Sequence, residues 1–270
     1  MGDHFDRRLR FTFAGWPHGQ SMMWRATDNA GPALYVKVHA KQYLYDRHLH
    51  AYRRWVPRLS CTTPAILWTQ AEELLVVFAE LPGAPLETRG LPIENELRAY
   101  ETAGRVAREF HAIRCEGTTT VDAGADAAEL MERFTAAAGD SLTIEVRDWL
   151  SAIAPDTEVL SGESAVPCHR DFSPRNWLVD ATPDGLSWSL IDFERARLDL
   201  RYADFKFMWP NHWKGRPDRR SAFFAGYGGE LSTDEETRLR FTVLINCLGT
   251  ISWARETNDP AFGRCALETI

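Results

Sequence analysis

Residues 168–192 concentrate the side chains able to do chemistry. His169-Arg170-Asp171 is followed by Asn176, five residues after the aspartate, and by Asp192, sixteen residues further on. Asn176 to Asp180 and Leu186 to Asp192 read as two strands, with turn chemistry at Pro183-Asp184-Gly185 between them. A hairpin there brings the Asp171–Asn176 loop and Asp192 to one end. Such a set suits phosphoryl transfer. One carboxylate, Asp171, accepts or orients the proton of an attacking hydroxyl. A carboxamide, Asn176, and a second carboxylate, Asp192, are hard oxygen ligands of the kind Mg2+ prefers. His169 reads as a brace for the loop, because Asp171 already fills the base role.

The elements that must position these groups follow from periodicity. Arg8 to Phe13, Met22 to Thr27, Ala33 to His39, Thr63 to Trp68 and Glu73 to Ala79 have strand-like alternation or β-branched and aromatic content. Lys41 to Leu59 reads as a helix, with Tyr45, Leu49, Tyr52 and Trp55 on one stripe. Pro82-Gly83-Ala84-Pro85 then breaks the chain. Helical patterns follow over Ile93 to Cys115, Ala125 to Ala138, Leu142 to Ile153, Tyr202 to Trp209 and 233–255. The pattern predicts an α+β chain: a β-rich lobe over 1–81, then a larger helical lobe over 82–270 that contains the hairpin.

The motifs resemble the catalytic loop and metal-binding motif of kinases, His169-Arg170-Asp171 with Asn176 and then Ile191-Asp192-Phe193. The form is similar to the aminoglycoside phosphotransferase and choline kinase group of small-molecule kinases. Ser173 stands where many protein kinases have lysine, Glu194 replaces the glycine of D-F-G, and no A-P-E follows. The resemblance runs from about residue 11 to 210 and implies a two-lobed protein-kinase-like fold binding ATP or GTP with Mg2+. On that resemblance Lys37, in Tyr35-Val36-Lys37, holds nucleotide phosphates. Phe78-Ala79-Glu80-Leu81 forms the hinge that receives the base, with Phe78, Glu80 and Leu81 as nucleotide-side residues. No G-x-G-x-x-G occurs; the turn from Gly15 to Ser21 takes its place, and Ser21 is expected to meet phosphate oxygens.

A phosphate-gripping lysine needs an acidic partner, which kinases supply from a helix glutamate. The helix after Lys37 contains no glutamate, and His48 occupies the place where one would align. Asp46 is its only acid. Asp46 is the expected partner on charge; the other possibilities are His48 facing inward, or Lys37 relying on another group or on ATP itself.

Composition narrows the acceptor and the setting. The 270 residues carry a net charge of −7, which disfavours nucleic acid and anionic membranes as partners. No apolar run is long enough to span a bilayer. The five cysteines are never spaced as C-x-x-C, so neither a zinc cluster nor a disulfide framework is indicated and a reducing cytoplasm is the simplest setting. Residues 87–163 hold 16 acidic and 7 basic side chains, either a solvated helical face or a wall for a cationic acceptor. Trp209, Trp213 and Trp253 are read as core before they are read as an aromatic cage. The expected activity is O-phosphorylation of a small cationic molecule, most of all an aminoglycoside-type antibiotic. The alternatives are a metabolic kinase for choline, an amino alcohol or a sugar, and a pseudokinase that binds its ligand without turnover. No feature of the sequence sets an oligomeric state.

Overall fold

In the computed structural model, which describes residues 9–15, 21–28, 31–115, 123–182 and 185–270, the N-terminal alternation becomes one antiparallel sheet. Its strands are β1 (Arg10–Phe13), β2 (Ser21–Thr27), β3 (Leu34–His39), β4 (Ile66–Gln70) and β5 (Leu75–Ala79), in the order β1-β2-β3-β5-β4. Strand period puts Leu34 and Val36 on one face, where they cluster with Ala26 and Val77. The opposite face presents Tyr35, Lys37 and His39, and register sets Lys37 opposite Val76 on one side and Met23 on the other. Helix α1 (Gln42–Arg54) covers this second face, burying Tyr45 and Leu49 against Val76 and Phe78. Its last turn carries Arg53 and Arg54, which favour the negative end of the helix dipole. Residues 16–20 of the expected turn between Gly15 and Ser21, 29–30 and 183–184 lie outside the described residues.

The catalytic-motif hairpin forms as read: β7 (Trp177–Thr182) pairs β8 (Gly185–Leu190), Trp177 opposite Leu190. A third strand, β6 (Ala84–Pro85), joins it. The chain divides into two compact units, Met1–Asn95 with Pro174–Ala196, and Glu96–Ser173 with Arg197–Ile270. This differs from a break at residues 81 and 82 for two physical reasons. Pro82-Gly83-Ala84-Pro85 leads into a strand rather than a linker; Gly83 has φ 97° and a Cβ there would lie 2.7 Å from the Val179 carbonyl oxygen. The hairpin itself anchors in the first unit, Phe193 beneath Tyr52 of α1 at 5.6 Å between ring centres.

The second unit is helical: α2 (Ile93–His111, from Glu96 onward), α3 (Ala123–Ala138), α4 (Ile144–Ile153), α5 (Pro217–Tyr227), α6 (Thr233–Glu256) and α7 (Pro260–Leu267). Helix α6 starts on a capping box, the Ser232 hydroxyl accepting from the Glu235 amide while the Glu235 carboxylate accepts from the Ser232 amide. Helix α5 opens on Pro217 and stops at Gly228, whose φ is 118°. Neither α5 nor α7 stands out in the sequence pattern. Tyr202 to Trp209 is not an α-helix: Arg201–Asp204 is a 3-10 turn and Trp209–Trp213 a π turn around Pro210, which cannot donate to a helical ladder. Trp213 is core, packed on Phe223 and Phe224, and Trp253 stacks edge-on against Phe262. Among the described residues no helix is long and apolar enough to cross a membrane.

Candidate active site

The first unit brings Lys37 and Asp192 together. Lys37, 2% exposed, points its ammonium at Asp192 Oδ1, 2.6 Å away, and at Glu194 Oε2, 2.9 Å away. Burial alone would push the lysine toward neutrality; the two carboxylates outweigh it, and its pKa lies above the ordinary lysine value. Asp192 ends the hairpin in the left-handed region, φ 69° and ψ 65°. An L-residue held there costs about 1–3 kcal/mol, strain of the kind that collects at functional sites. The 3-10 turn Phe193–Arg195 follows at once, anchored by fully buried Phe193, and it carries Glu194 back over the sheet.

Asn176 closes the turn Pro174–Asn176, is 6% exposed, and accepts the Ile191 amide on its backbone carbonyl at 3.1 Å. That bond clamps the hairpin's two ends, so Asn176 and Asp192 share one end of the first unit. Their oxygens are the hard donors that Mg2+ takes, and the pair fits that ion in type.

Helix α1 does not supply the lysine's partner. Asp46 is exposed and accepts from the Gln42 side chain at 2.8 Å, while Lys37 is buried on two hairpin carboxylates. The expected Asp46–Lys37 pairing is therefore corrected. A two-residue step turns a helical side chain by about 200°, and the buried stripe includes position 48 instead. His48 stacks on Phe78 at 5.2 Å, and its Nδ1 lies 2.8 Å from Nε2 of His39 on β3. His39 Nδ1 faces the Leu74 carbonyl at 2.9 Å and must donate to it. Burial pushes the His39 pKa down and keeps the ring neutral, so Nε2 accepts and His48 donates.

The remaining nucleotide-side residues have other contacts in this structure. The Ser21 hydroxyl donates to Glu194 at 2.5 Å. Phe78 is buried between His48 and Tyr52. Glu80 holds Arg25 at 2.7 Å, its backbone amide meets the Ala33 carbonyl, and Leu81 is half-buried beside it.

The second unit holds the loop of Asp171, which is 6% exposed. Its support is Asp204, fully buried, whose carboxylate accepts the amides of His169 at 3.0 Å and Arg170 at 2.5 Å. His111 Nε2 is on the same carboxylate at 3.0 Å and its Nδ1 is 2.9 Å from the Tyr227 hydroxyl. Burial opposes the charge on Asp204, yet the His111 bond, the neighbouring imidazoles and the Arg170 amide win, and its pKa falls below the usual carboxylate range. Arg170 sits at φ 64° and pairs with Asp199 at 3.1 Å. His169 is fully buried and its Nδ1 accepts the Asp171 amide, the bracing role expected of it. His111, Cys168 and Asp204 lie close enough to suggest a metal cluster, but the carboxylate is taken up by the loop and the thiol donates to the Leu200 carbonyl. Burial drives that thiol's pKa well up, so the cluster is a brace.

The described acids of 87–163 lie at the surface or in ion pairs: Glu96, Glu109 and Glu163 pair with arginines and the others are exposed. Sequence reasoning did not assign Glu194 or His39 to the site. The signal for Glu194 was present as the acid standing where D-F-G has glycine.

Similar solved structures share this fold. An aminoglycoside 2′-phosphotransferase-IIIa in its GDP complex is 16% identical, with a TM-score of 0.76 over 99% of this chain and 94% of that one. The streptomycin–ATP ternary complex of APH(2″)-IIa is 14% identical, with a TM-score of 0.65 over 99% and 95%. The macrolide 2′-phosphotransferase MphH from Brachybacterium faecium is 18% identical, with a TM-score of 0.64 over 97% and 91%. Comparison with curated proteins found no match. The model of the phosphotransferase enzyme family matches residues 12–241, most of the chain, and the protein is therefore a member of that family, a kinase-type enzyme on an α+β kinase-like fold.

Proposed function

We propose that the protein transfers the γ-phosphoryl group of ATP or GTP to a hydroxyl of a small cationic molecule, an aminoglycoside-type antibiotic first among the acceptors. The observation that carries this reading is the buried Lys37–Asp192 pair, formed 155 residues apart in sequence. It joins the strand lysine to the metal-motif aspartate, the two groups that phosphoryl transfer needs on either side of the phosphates. Lys37 offsets charge on the phosphate oxygens, and Asn176 and Asp192 are the residues to hold Mg2+. When bound, that ion neutralises charge on the phosphates. Asp171 orients the acceptor hydroxyl and takes its proton as the new oxygen–phosphorus bond forms. The bond from the γ-phosphorus to its bridging oxygen breaks, and the nucleoside diphosphate leaves with that electron pair. The hinge from Phe78 to Leu81 receives the base through its backbone, and Ser21 reaches the phosphates by releasing Glu194.

Relatives of this fold were solved with GDP, with ATP and streptomycin, and with kanamycin, which supports the nucleotide and acceptor classes. The macrolide enzyme shares the fold to a comparable degree, so macrolides stand beside aminoglycosides as acceptors to test. All five cysteines are free thiols, which suits a reducing cytoplasm. The test is nucleoside diphosphate release with Mg2+ and ATP or GTP over aminoglycosides, macrolides, choline, amino alcohols and sugars, with products identified by mass. Turnover with an antibiotic supports the reading. Turnover only with a metabolic alcohol moves the acceptor class, and nucleotide binding without any turnover favours the pseudokinase.

A further inference from the structure

We propose that Glu194 is the positioning residue for Lys37, doing from the hairpin what kinases do from a helix glutamate. The inference rests on the phosphoryl-transfer reading above and adds a residue to it. Helix α1 has one acid, Asp46, and it is exposed on the wrong side. Glu194 is 8% exposed, and its Oε2 gathers two groups: the Lys37 ammonium at 2.9 Å and the Ser21 hydroxyl at 2.5 Å. Asp192 also holds Lys37, but a carboxylate that turns to Mg2+ gives up most of its hold on the ammonium. Lys37 then keeps Glu194 as its protein partner, and a buried ammonium left without one is strongly disfavoured.

The turn that carries Glu194 is built to be stiff. Fully buried Phe193 anchors it against Tyr52 of α1. Only Phe193 separates Glu194 from Asp192, so one short turn fixes both the lysine's partner and the metal-motif carboxylate. The inward-facing helix position, His48, is used otherwise: it donates to His39, two residues from Lys37 on the same strand. Helix α1 thus holds the strand while Glu194 holds the lysine.

The test uses full-length protein with Glu194→Gln, Glu194→Asp, Lys37→Met and the double variant Lys37→Met/Glu194→Gln. The first readout needs no nucleotide: acylation of Lys37 by an amine-reactive ester, followed by peptide mass. Glu194→Gln should speed labelling of Lys37 several-fold, and Glu194→Asp, which keeps the charge, should restore much of the protection. The second readout is ATP affinity by calorimetry at saturating Mg2+. Glu194→Gln should weaken it by about 10- to 100-fold, the worth of a hydrogen bond to a charged group, with partial rescue by Glu194→Asp. In the Lys37→Met background it should change nothing further, because its effect passes through the lysine. Unchanged labelling in Glu194→Gln, or independent effects that multiply in the double variant, would overturn the assignment. So would a defect that vanishes as Mg2+ is raised, which makes Glu194 a metal ligand. If the wild-type protein binds neither ATP nor GTP, the phosphoryl-transfer reading fails while labelling still decides the Glu194–Lys37 pairing.

Discussion

The Lys37 ammonium and the Asp192 carboxylate meet at 2.6 Å although 155 residues separate them, and the lysine has almost no solvent to fall back on. The pair ties the middle of β3 to the end of the hairpin. If Asp192 is a ligand for Mg2+ as well as a partner of Lys37, Asp192→Ala should abolish turnover and remove the Mg2+ dependence of ATP binding. Titrating ATP with and without Mg2+ measures this. A variant whose binding still strengthens with Mg2+ would take Asp192 out of the metal site.

Asp171→Asn keeps the shape of a nearly buried side chain but cannot take a proton. Nucleotide affinity and melting temperature should stay close to wild type while kcat falls by roughly 10²–10⁴, the usual range for a positioned acid–base group. Near-normal kcat in the variant would remove Asp171 from the chemistry.

Much of this was legible before any coordinates. Tyr35-Val36-Lys37 alternates as a strand, and His169-Arg170-Asp171, Asn176 and Asp192 carry their spacing in the sequence itself. The five strands and α1 appear close to where pattern puts them. Strands β3 and β5 and helix α1 carry buried faces of the right period, whereas β1 is exposed along its whole length and is held by its pairing with β2. The partner of Lys37 was not legible. Choosing Asp46 over His48 depends on rotation of α1 about its axis, which packing of Tyr45 and Leu49 against the sheet decides. In the sequence Glu194 is only a departure from D-F-G; the turn at Phe193 is what brings it over β3. Helices α5 and α7 have no legible stripe: α5 places Phe223 and Phe224 side by side, and α7 leaves Phe262 half out to meet Trp253.

Two glycines set the crossing of α2 and α5. A Cβ at Gly104 would run into the Phe223 carbonyl oxygen, and one at Gly226 into the Glu101 carbonyl oxygen. Both obstacles are backbone and cannot rotate away. Gly104→Ala should cost about 2–3 kcal/mol by overpacking despite alanine's better helix propensity. Gly90→Ala is the control, since nothing lies within 4 Å of a Cβ there. Urea unfolding of the two variants decides it; equal midpoints would mean that the helices separate at little cost.

Asp204 should matter to turnover without touching any reactant. Its carboxylate satisfies two buried amides at the Asp171 loop and holds His111. Asp204→Ala leaves those donors buried without an acceptor, and about 3–5 kcal/mol of stability should go with them. At a temperature where the variant remains folded, kcat should fall more than nucleotide affinity, because Asp171 loses its support. Loss of nucleotide affinity with kcat intact would place the effect of Asp204 elsewhere.

His39 predicts an acid-side loss of stability with a definite sign. Burial, foremost, and the nearby Lys37 ammonium lower its pKa; the Leu74 carbonyl and the Glu194 and Asp192 carboxylates pull the other way and lose. The groups facing it from α1 are His48, which donates to it, and Tyr45, edge-on at 5.7 Å. Above the ordinary histidine value near 6.5 the ring is neutral whether the chain is folded or not, and its contribution is complete. As pH falls below that value the unfolded chain takes up the proton first, and unfolding becomes easier by up to about 1.4 kcal/mol per pH unit until the folded ring titrates. Protonation then costs the His48 bond as well, because Nε2 can no longer accept. His39→Asn retains a donor for the Leu74 carbonyl and has nothing to titrate, so it should flatten that part of the curve while lowering stability at neutral pH. Urea unfolding at pH 7.5, 6.0 and 5.0 checks it, and parallel curves for the two proteins would show that His39 is not the titrating group.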